Sequence, residues 1–326
     1  MARSSPIHHV VIIVKENHGF DNYFGTYPGA DGASMPPSPN PPPSDPDHRH
    51  AAWLTRDATA PRVQFHQSDI RRYWDYASGF TLCDSYFTDV AGPSTPNHLM
   101  LVMADSPLVN NPPTNYRKHP GPPTYDQPSL PSLLDQAGLG WANYNGYVFE
   151  FIKHTAGKKK PWKQFAADAA GGNLLSVSWL YADQALSEHP ADTAAEKRAG
   201  NGDVTKGMQW TVDQIGAVVA AGLWPQTAIF ITWDDWGGWW DHVTPPEVEK
   251  WTDGTQFRYG GRVPCIVLSP YARKGYISKA LHSHVSIVRF CLDNFGLPSI
   301  NARTRASDAM EDCFDYSQRP LEPPAR

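Results

Sequence analysis

Apolar residues along this chain first form short continuous runs that are rich in β-branched side chains. Such runs lie at 9–14, 227–233 and 263–268, and they are typical of strands buried on both faces of a parallel sheet. The run at 227–233 leads into a group of acids, glycines and one histidine. Its carboxyl end is therefore expected to lie at the edge of the sheet where ligands bind in α/β proteins.

Other segments place apolar residues three and four positions apart, which predicts amphipathic helices. These segments lie at 129–137, 212–219 and 285–295, and Gly138 and Gly296 follow the first and the last as helix stops. Strands that alternate with helices over the whole length predict an α/β fold. The expected form is a three-layer α/β/α sandwich with a mostly parallel central sheet.

The chain is predicted to form a single domain over 1–326. With 40% hydrophobic and 19% charged residues, 326 residues can bury a core of enzyme size. Residues 34–46 are rich in Pro and Ser. They predict an irregular excursion rather than a linker, because the polar motifs on both sides are expected to converge on one site. Residues 316–326 predict a surface tail.

Charge and hydropathy exclude several classes of partner. A net charge of −5 leaves no broad basic surface for a nucleic-acid backbone, so no nucleic-acid partner is expected. No apolar run approaches the roughly 18 residues that a membrane span needs, and no signal-peptide core follows Met1. The expected location is the cytoplasm or, for a mature form of an exported protein, outside it.

The four cysteines, Cys83, Cys265, Cys291 and Cys313, are widely spaced and form no CxxC pair. This spacing argues against a zinc–thiolate site or a redox motif. Buried thiols that pack as small hydrophobic groups are favoured over one or two disulfides.

The acids that follow the run at 227–233 point to a metal. Asp234 and Asp235 are adjacent, and Gly237 and Gly238 follow them directly. Two adjacent carboxylates in a partly dry pocket repel each other unless a cation lies between them. Glu16 and Asn17, which follow the run at 9–14, offer further oxygen ligands. Such oxygens suit Ca²⁺, Mg²⁺ or Mn²⁺, and a carboxylate-rich site also accepts Fe or Zn²⁺.

A second polar segment offers a nucleophile. In Gly92-Pro-Ser-Thr-Pro-Asn-His98 a hydroxyl lies in a rigid loop between two prolines, with the amide of Asn97 close behind it. Chemistry alone does not separate Ser94 from Thr95. His154 and His189 are further candidates, although a lone histidine is more often a surface or core group.

Several of these segments together resemble a known family, the phosphoesterase family of bacterial phospholipases C and acid phosphatases. The resemblance runs in family order from about residue 7 to residue 298. One departure is Asp235, where phospholipase-like relatives often carry Glu. The motifs that carry the resemblance are Glu16-Asn17, Phe20-Asp21, Tyr23-Phe24-Gly25-Thr26, Gly92-Pro93-Ser94, Pro96-Asn97, Ser187-Glu188-His189-Pro190, Asp234-Asp235 and Asp241-His242-Val243.

The resemblance implies an alkaline-phosphatase-like fold and metal-dependent hydrolysis of phosphate esters through a covalent phosphoserine. It places the nucleophile at Ser94, where many relatives have Thr. Asn97, His154 and His189 would face the phosphoryl oxygens, and His48 is a weaker candidate for the same ring. The implied ligands of a divalent metal ion are Glu16, Asn17, Ser94, Asp234 and Asp235.

The favoured activity is that of a phospholipase C on phospholipid headgroup phosphodiesters, with acid phosphatase as the alternative. Tryptophans beside the acids, such as Trp236 and Trp239, suit a choline headgroup but equally suit a core. A phosphomonoesterase would need a further cation, for which Lys153 or Arg49 are candidates. Transient contact with a membrane surface and the oligomeric state stay open. A non-catalytic phosphate or lipid binder is a remote alternative, and a sulfatase is disfavoured because no Cxx(A/P)xR motif occurs.

Overall fold

The computed structural model describes residues 5–113 and 124–325, and its centre is an eight-stranded sheet with two small two-stranded sheets beside it. In these residues the strands are β1 (His9–Lys15), β2 (Thr81–Cys83), β3 (Tyr86–Phe87), β4 (Trp141–Tyr144), β5 (Lys159–Lys160), β6 (Val177–Tyr181), β7 (Thr227–Trp233), β8 (Glu249–Lys250), β9 (Gln256–Arg258), β10 (Cys265–Leu268), β11 (Tyr276–Ser278) and β12 (His282–Ser283).

The strand order in the large sheet is β11-β2-β10-β7-β1-β6-β4-β5. Strand β1 pairs in parallel with both β6 and β7, while β10 runs antiparallel to its two neighbours, β7 and β2. The sheet is therefore mostly parallel, and its central strands are apolar and buried on both faces.

Two groups of helices cover the sheet. Helices α5, α6, α10 and α11 pack on one another, and α4, α7 and α9 form a second group. In the described residues the helices are α1 (Phe20–Phe24), α2 (His50–Trp53), α3 (Arg56–Thr59), α4 (Arg71–Gly79), α5 (Ser94–Met103), α6 (Leu130–Gln136), α7 (Gln164–Ala170), α8 (Ala194–Ala199), α9 (Val204–Ala220), α10 (His284–Asn294) and α11 (Ala302–Ala306).

The elements predicted from hydropathy are confirmed, with ends that differ by a few residues. The strand predicted at 227–233 is β7, the run at 9–14 lies within β1, and the run at 263–268 contains β10. The three helical segments correspond to α6, α9 and α10. Gly138 and Gly296 follow α6 and α10 with φ of 69° and 66°, left-handed values that favour glycine at a helix end.

Register brings the two acid motifs together. Lys15 and Trp233, the last residues of β1 and β7, are direct partners in the ladder, and the backbone N–H of Asp234 donates to the carbonyl of Lys15 at 2.9 Å. Residues 34–46 are irregular apart from one bridge between Pro37 and Gln64. Among the helices in the described ranges, none has the length and apolar character needed to cross a bilayer.

Candidate active site

The chain bends sharply at Asn17, immediately after β1. Asn17 has a left-handed φ of 63°, a conformation that asparagine tolerates better than most residues. Its backbone N–H donates to Asp234 Oδ1 at 3.1 Å, and its carbonyl accepts from Trp239 Nε1 at 3.0 Å. These bonds fix both ends of the peptide, so the Asn17 side chain is held beside the acids that follow β7.

Gly237 makes this close approach possible. Its φ is 61°, and a Cβ atom at this position would lie 1.9 Å from the Asn17 carbonyl oxygen. The Gly237 N–H also donates to Asp235 Oδ1 at 2.7 Å, while Asp234 Oδ1 accepts the N–H of Asp235 at 2.8 Å. The turn thus aims both carboxylates by backbone hydrogen bonds.

Ser94 is the first residue of α5, and its side chain contacts the second acid. Ser94 Oγ donates to Asp235 Oδ2 at 3.0 Å, and both residues are buried. The amino-terminal end of a helix favours negative charge. Ser94 is therefore the hydroxyl that meets the acid motif, whereas the hydroxyl of Thr95 contacts Tyr147 Oη at 2.9 Å.

His98 lies one turn further along α5 and faces the first acid. Its Nε2 is 3.1 Å from Asp234 Oδ2, and both side chains are fully buried, although the two atoms are not aligned for a hydrogen bond. Burial alone would lower the pKa of His98 and raise that of Asp234. The contact outweighs burial for both groups, so the pKa of His98 is raised and that of Asp234 is lowered to about 2.

The pKa values of the other two acids, Asp235 and Glu16, are raised in this crowded cluster. Burial raises the pKa of Asp235 to about 7, and the charge of Asp234 adds to the effect. Burial and Asp234 also raise the pKa of Glu16, which is partly exposed and whose N–H donates to the carbonyl of Ser187 at 3.0 Å. Glu16, Asp234 and Asp235 therefore cannot all be ionised here without a compensating positive charge.

Two histidines lie on the more open side of this cluster. His48 Nε2 is 3.3 Å from Asn17 Nδ2, and its ring is 6.3 Å from that of His189. Burial lowers the pKa of both rings, but neighbouring carboxylates more than compensate. Asp235 and Asp45 raise the pKa of His48 to about 9, and Glu16 and Asp45 raise that of His189.

The donor set fits a divalent cation. Asn17 Oδ1 and Asp234 Oδ2 are buried without a hydrogen-bond partner, and the carboxylates of Glu16 and Asp235 and the hydroxyl of Ser94 belong to the same cluster. Hard divalent cations prefer such oxygen ligands. Tighter groups of three His, Cys, Asp or Glu ligands, with atoms within 4.8 Å of one another, occur elsewhere in the described residues.

Two predicted site residues make contacts outside the acid cluster. The Asn97 amide donates to the carbonyls of Val90, Gly92 and Pro93 at 3.1 to 3.2 Å, and its Oδ1 accepts the N–H of Val90 at 2.8 Å. Both ends of the amide thus contact the loop before α5, and its role toward phosphoryl oxygens stays a prediction. His154 is exposed and contacts Asp126 at 3.1 Å, so the structure does not bring it to the cluster.

The candidates for substrate contacts are either buried or paired with other acids. Trp236 and Trp239 are 2% and 4% exposed, so the core alternative holds for these rings. Lys153 and Arg49 are exposed and pair with Asp126 and Asp47.

Sequence reasoning did not single out His98, although a signal for it exists. His98 ends the segment that contains Ser94, and positions four residues apart lie on the same face of a helix. It missed Asp45 for a different reason. Asp45 lies three residues before His48 in the irregular Pro/Ser-rich excursion, where no periodicity places a side chain, and its Oδ2 is 3.6 Å from His48 Nδ1.

The fold is alkaline-phosphatase-like. A protein of the alkaline phosphatase superfamily from Vibrio parahaemolyticus superimposes with a TM-score of 0.52 over 95% of this chain and 71% of its own, at 9% identity. A 2-O GAG sulfatase gives a TM-score of 0.54 over 96% and 76%, at 11% identity. At these identities the likeness establishes the fold alone.

The chain belongs to the phosphoesterase family, whose model matches residues 7–45 and 44–298. It is 25% identical to the non-hemolytic phospholipase C of Pseudomonas aeruginosa over 97% of this chain, but spans only 58% of that relative. It is 24% identical to phospholipase C B of Mycobacterium tuberculosis over 96% of this chain and 78% of the relative.

Titration of Asp235 predicts a pH-dependent stability difference. Because its folded pKa of about 7 lies above the unfolded value, the folded state keeps a proton that the unfolded chain releases between about pH 4 and pH 7. With chelator present, wild type should therefore lose stability relative to Asp235→Asn as pH rises through this window, by up to about 1.4 kcal/mol per pH unit. Urea unfolding at several pH values measures it.

The exposed carboxylate of Asp57 provides the control. Asp57→Asn should give a stability curve parallel to that of wild type across the same pH range. A constant difference between wild type and Asp235→Asn would show that Asp235 is not protonated in the folded state at these pH values.

Proposed function

We propose that this protein hydrolyses phosphate esters through a covalent intermediate on Ser94, with a divalent cation at the acid cluster, and that it acts as a phospholipase C. The observation that carries the proposal is the contact between Ser94 Oγ and Asp235 Oδ2 at 3.0 Å. It sets a hydroxyl at the amino-terminal end of a helix against a pair of acids. This is the arrangement that a nucleophile needs for activation.

The cation would be held by Glu16, Asn17, Asp234 and Asp235 together with Ser94. When bound, it supplies positive charge that favours ionisation of the Ser94 hydroxyl and offsets charge on the phosphoryl oxygens. Its identity among Ca²⁺, Mg²⁺, Mn²⁺, Zn²⁺ and Fe is left open.

The residues of the chain then divide the work of the displacement. Ser94 Oγ gives up its proton to solvent water and forms a bond to phosphorus while the bond to the leaving alcohol breaks. His48 and His189 carry raised pKa values and face the same side of the cluster, so they can bind phosphoryl oxygens. One of them protonates the leaving alcohol. Water then attacks phosphorus from the opposite side and releases Ser94.

The choice of a diester substrate rests on the relatives, which are named phospholipase C. A cavity of about 460 Å³ lies beside the segment that carries His48, with Pro46, Asp47 and Trp236 in its lining, but its lining includes neither His48 nor a residue of the acid cluster.

Acid phosphatase activity is the second candidate, and one observation favours it. Neighbouring carboxylates raise the pKa of His48 to about 9 and also raise that of His189, which favours positive charge on both rings close to the cluster. Such rings would also bind the additional charge of a monoester.

Replacement of the nucleophile tests the chemistry. Ser94→Ala should lower kcat by about a thousandfold or more, because no neighbouring side chain replaces the bond to phosphorus. Steady-state hydrolysis of p-nitrophenyl phosphorylcholine measures the loss. Near-unchanged far-UV circular dichroism would show that the fold is kept.

The adjacent hydroxyl is the matched control. Thr95→Ala should affect kcat far less, since its hydroxyl contacts Tyr147 and not an acid of the cluster. Substantial turnover by Ser94→Ala, or equal losses in both variants, would remove Ser94 as the nucleophile.

A pair of substrates tests the class of ester. Wild type should hydrolyse p-nitrophenyl phosphorylcholine with a higher kcat/KM than p-nitrophenyl phosphate if it reads a diester headgroup. The opposite ratio would make it an acid phosphatase. Hydrolysis of neither substrate by metal-loaded protein would support the non-catalytic alternative.

A further inference from the structure

A second group of side chains that could bind a metal contains two thiols and an imidazole. Cys83 ends β2, Cys313 lies in a short 3₁₀ turn near the carboxyl terminus, and His282 begins β12. One ligand atom from each lies within 4.8 Å of the others, and all three residues are buried. Separations of 199 and 230 positions along the chain hide this group from any sequence motif.

The distances match those of a tetrahedral thiolate site. The two sulfur atoms of Cys83 and Cys313 are 3.7 Å apart, too far for a disulfide, and both cysteines are free. Zinc–sulfur bonds of about 2.3 Å in a tetrahedron put two sulfurs roughly 3.8 Å apart. Cys313 Sγ is 3.9 Å from His282 Nε2. These three atoms therefore lie close to the corners that one zinc ion requires.

Asp312 provides a fourth oxygen. Its Oδ1 lies 3.3 Å from His282 Nε2 and 3.6 Å from Cys313 Sγ. Its side chain is 29% exposed, whereas that of His282 is fully buried, so the group is reached from solvent past Asp312. Four ligands with one open side satisfy both the coordination number and the need for an entry path.

The surroundings of His282 resemble those of a metal-bound imidazole. Its other nitrogen, Nδ1, lies 3.1 Å from Asp308 Oδ1, although the two atoms are not aligned for a hydrogen bond. Histidine ligands commonly have a carboxylate close to the second ring nitrogen. Without metal, His282 Nε2 contacts Ser278 Oγ at 2.9 Å, and Ser278 also donates to Asp312 Oδ2 at 2.6 Å. The bond to Asp312 would hold the Ser278 hydroxyl when a metal binds His282 Nε2.

Another compact group, Asp21, Asp241 and His242, does not support a metal site in the same way. Arg262 is buried between the two acids and lies 3.0 Å from an oxygen of each. Its charge already compensates them. Within the part of the chain that the structure describes, Cys83, Cys313 and Asp312 have no such cationic side chain among their contacts apart from the His282 ring itself.

We propose that Cys83, Cys313 and His282, with Asp312, bind a structural Zn²⁺ ion. Binding would displace protons from the two thiols and fasten the segment around Cys313 to the end of β2 in the main sheet. The site is separate from the acid cluster, whose ligands are all oxygen atoms, and it does not depend on the proposed reaction.

Cobalt substitution in the reduced full-length chain tests this site directly. Co²⁺ added to metal-free wild type should give a near-ultraviolet thiolate-to-cobalt charge-transfer band that saturates with one bound ion and disappears on addition of Zn²⁺. The oxygen ligands of the acid cluster cannot produce this band. Asp235→Asn should therefore retain it, which separates this test from the proposed function.

Cysteine variants supply the comparison. Cys83→Ser and Cys313→Ser should each weaken competition by Zn²⁺ by at least about a hundredfold, whereas Cys291→Ser, a buried thiol within α10, should leave the band unchanged. Wild-type spectra keep the test valid even if a variant folds poorly. Absence of the band in wild type, its persistence in a variant that carries both Cys83→Ser and Cys313→Ser, or a Cys83–Cys313 disulfide in the purified chain would overturn the proposal.

Discussion

Crowding of negative charge at the ends of two neighbouring strands is the constraint on which the site depends. Because β1 and β7 are parallel and in register at Lys15 and Trp233, the acids that follow each strand must share one buried edge. Two adjacent buried carboxylates are tolerated only with compensating charge. His98, held on the next helix, compensates Asp234, while Asp235 keeps a raised pKa. The negative charge that is left uncompensated is the physical reason for the proposed cation.

A second buried charge pair lies next to this edge of the sheet. Lys15 Nζ lies 3.4 Å from Glu188 Oε1 and also donates to the carbonyls of Leu186 and Gly207 at 2.7 and 3.1 Å. Glu188 in turn accepts bonds from Tyr23, Tyr73 and Trp233. A buried pair is costly unless its remaining hydrogen bonds are made, and here they are.

The location of this pair explains its use. Lys15 precedes Glu16, and Glu188 precedes His189, so a single ion pair fixes the backbone of a predicted metal ligand and of a phosphate-binding histidine. Glu188 adopts a left-handed φ of 79°, which turns the chain so that its own side chain points inward while His189 stays partly exposed. In both segments, a residue of the buried ion pair is followed directly by a predicted site residue.

The sequence predicts the strands and helices well because burial on both faces leaves continuous apolar runs, as in β1 and β7. It also singles out Glu16, Asn17, Asp234 and Asp235, since carboxylates and amides directly after such runs have no role in a core. Asn97 and His154 could not be judged in this way. Whether an amide faces a substrate or its own loop depends on three carbonyls that only the folded turn brings together. The Cys83 and Cys313 pair likewise requires the tertiary fold.

The most direct test of the central claim is mass spectrometry of the enzyme quenched with acid during turnover. With p-nitrophenyl phosphorylcholine, the peptide that contains Ser94 should gain the mass of one phosphorylcholine group, and the Ser94→Ala protein should show no such adduct. An unmodified Ser94 peptide during steady turnover, or an adduct on Thr95 or a histidine, would contradict the proposed covalent route through Ser94.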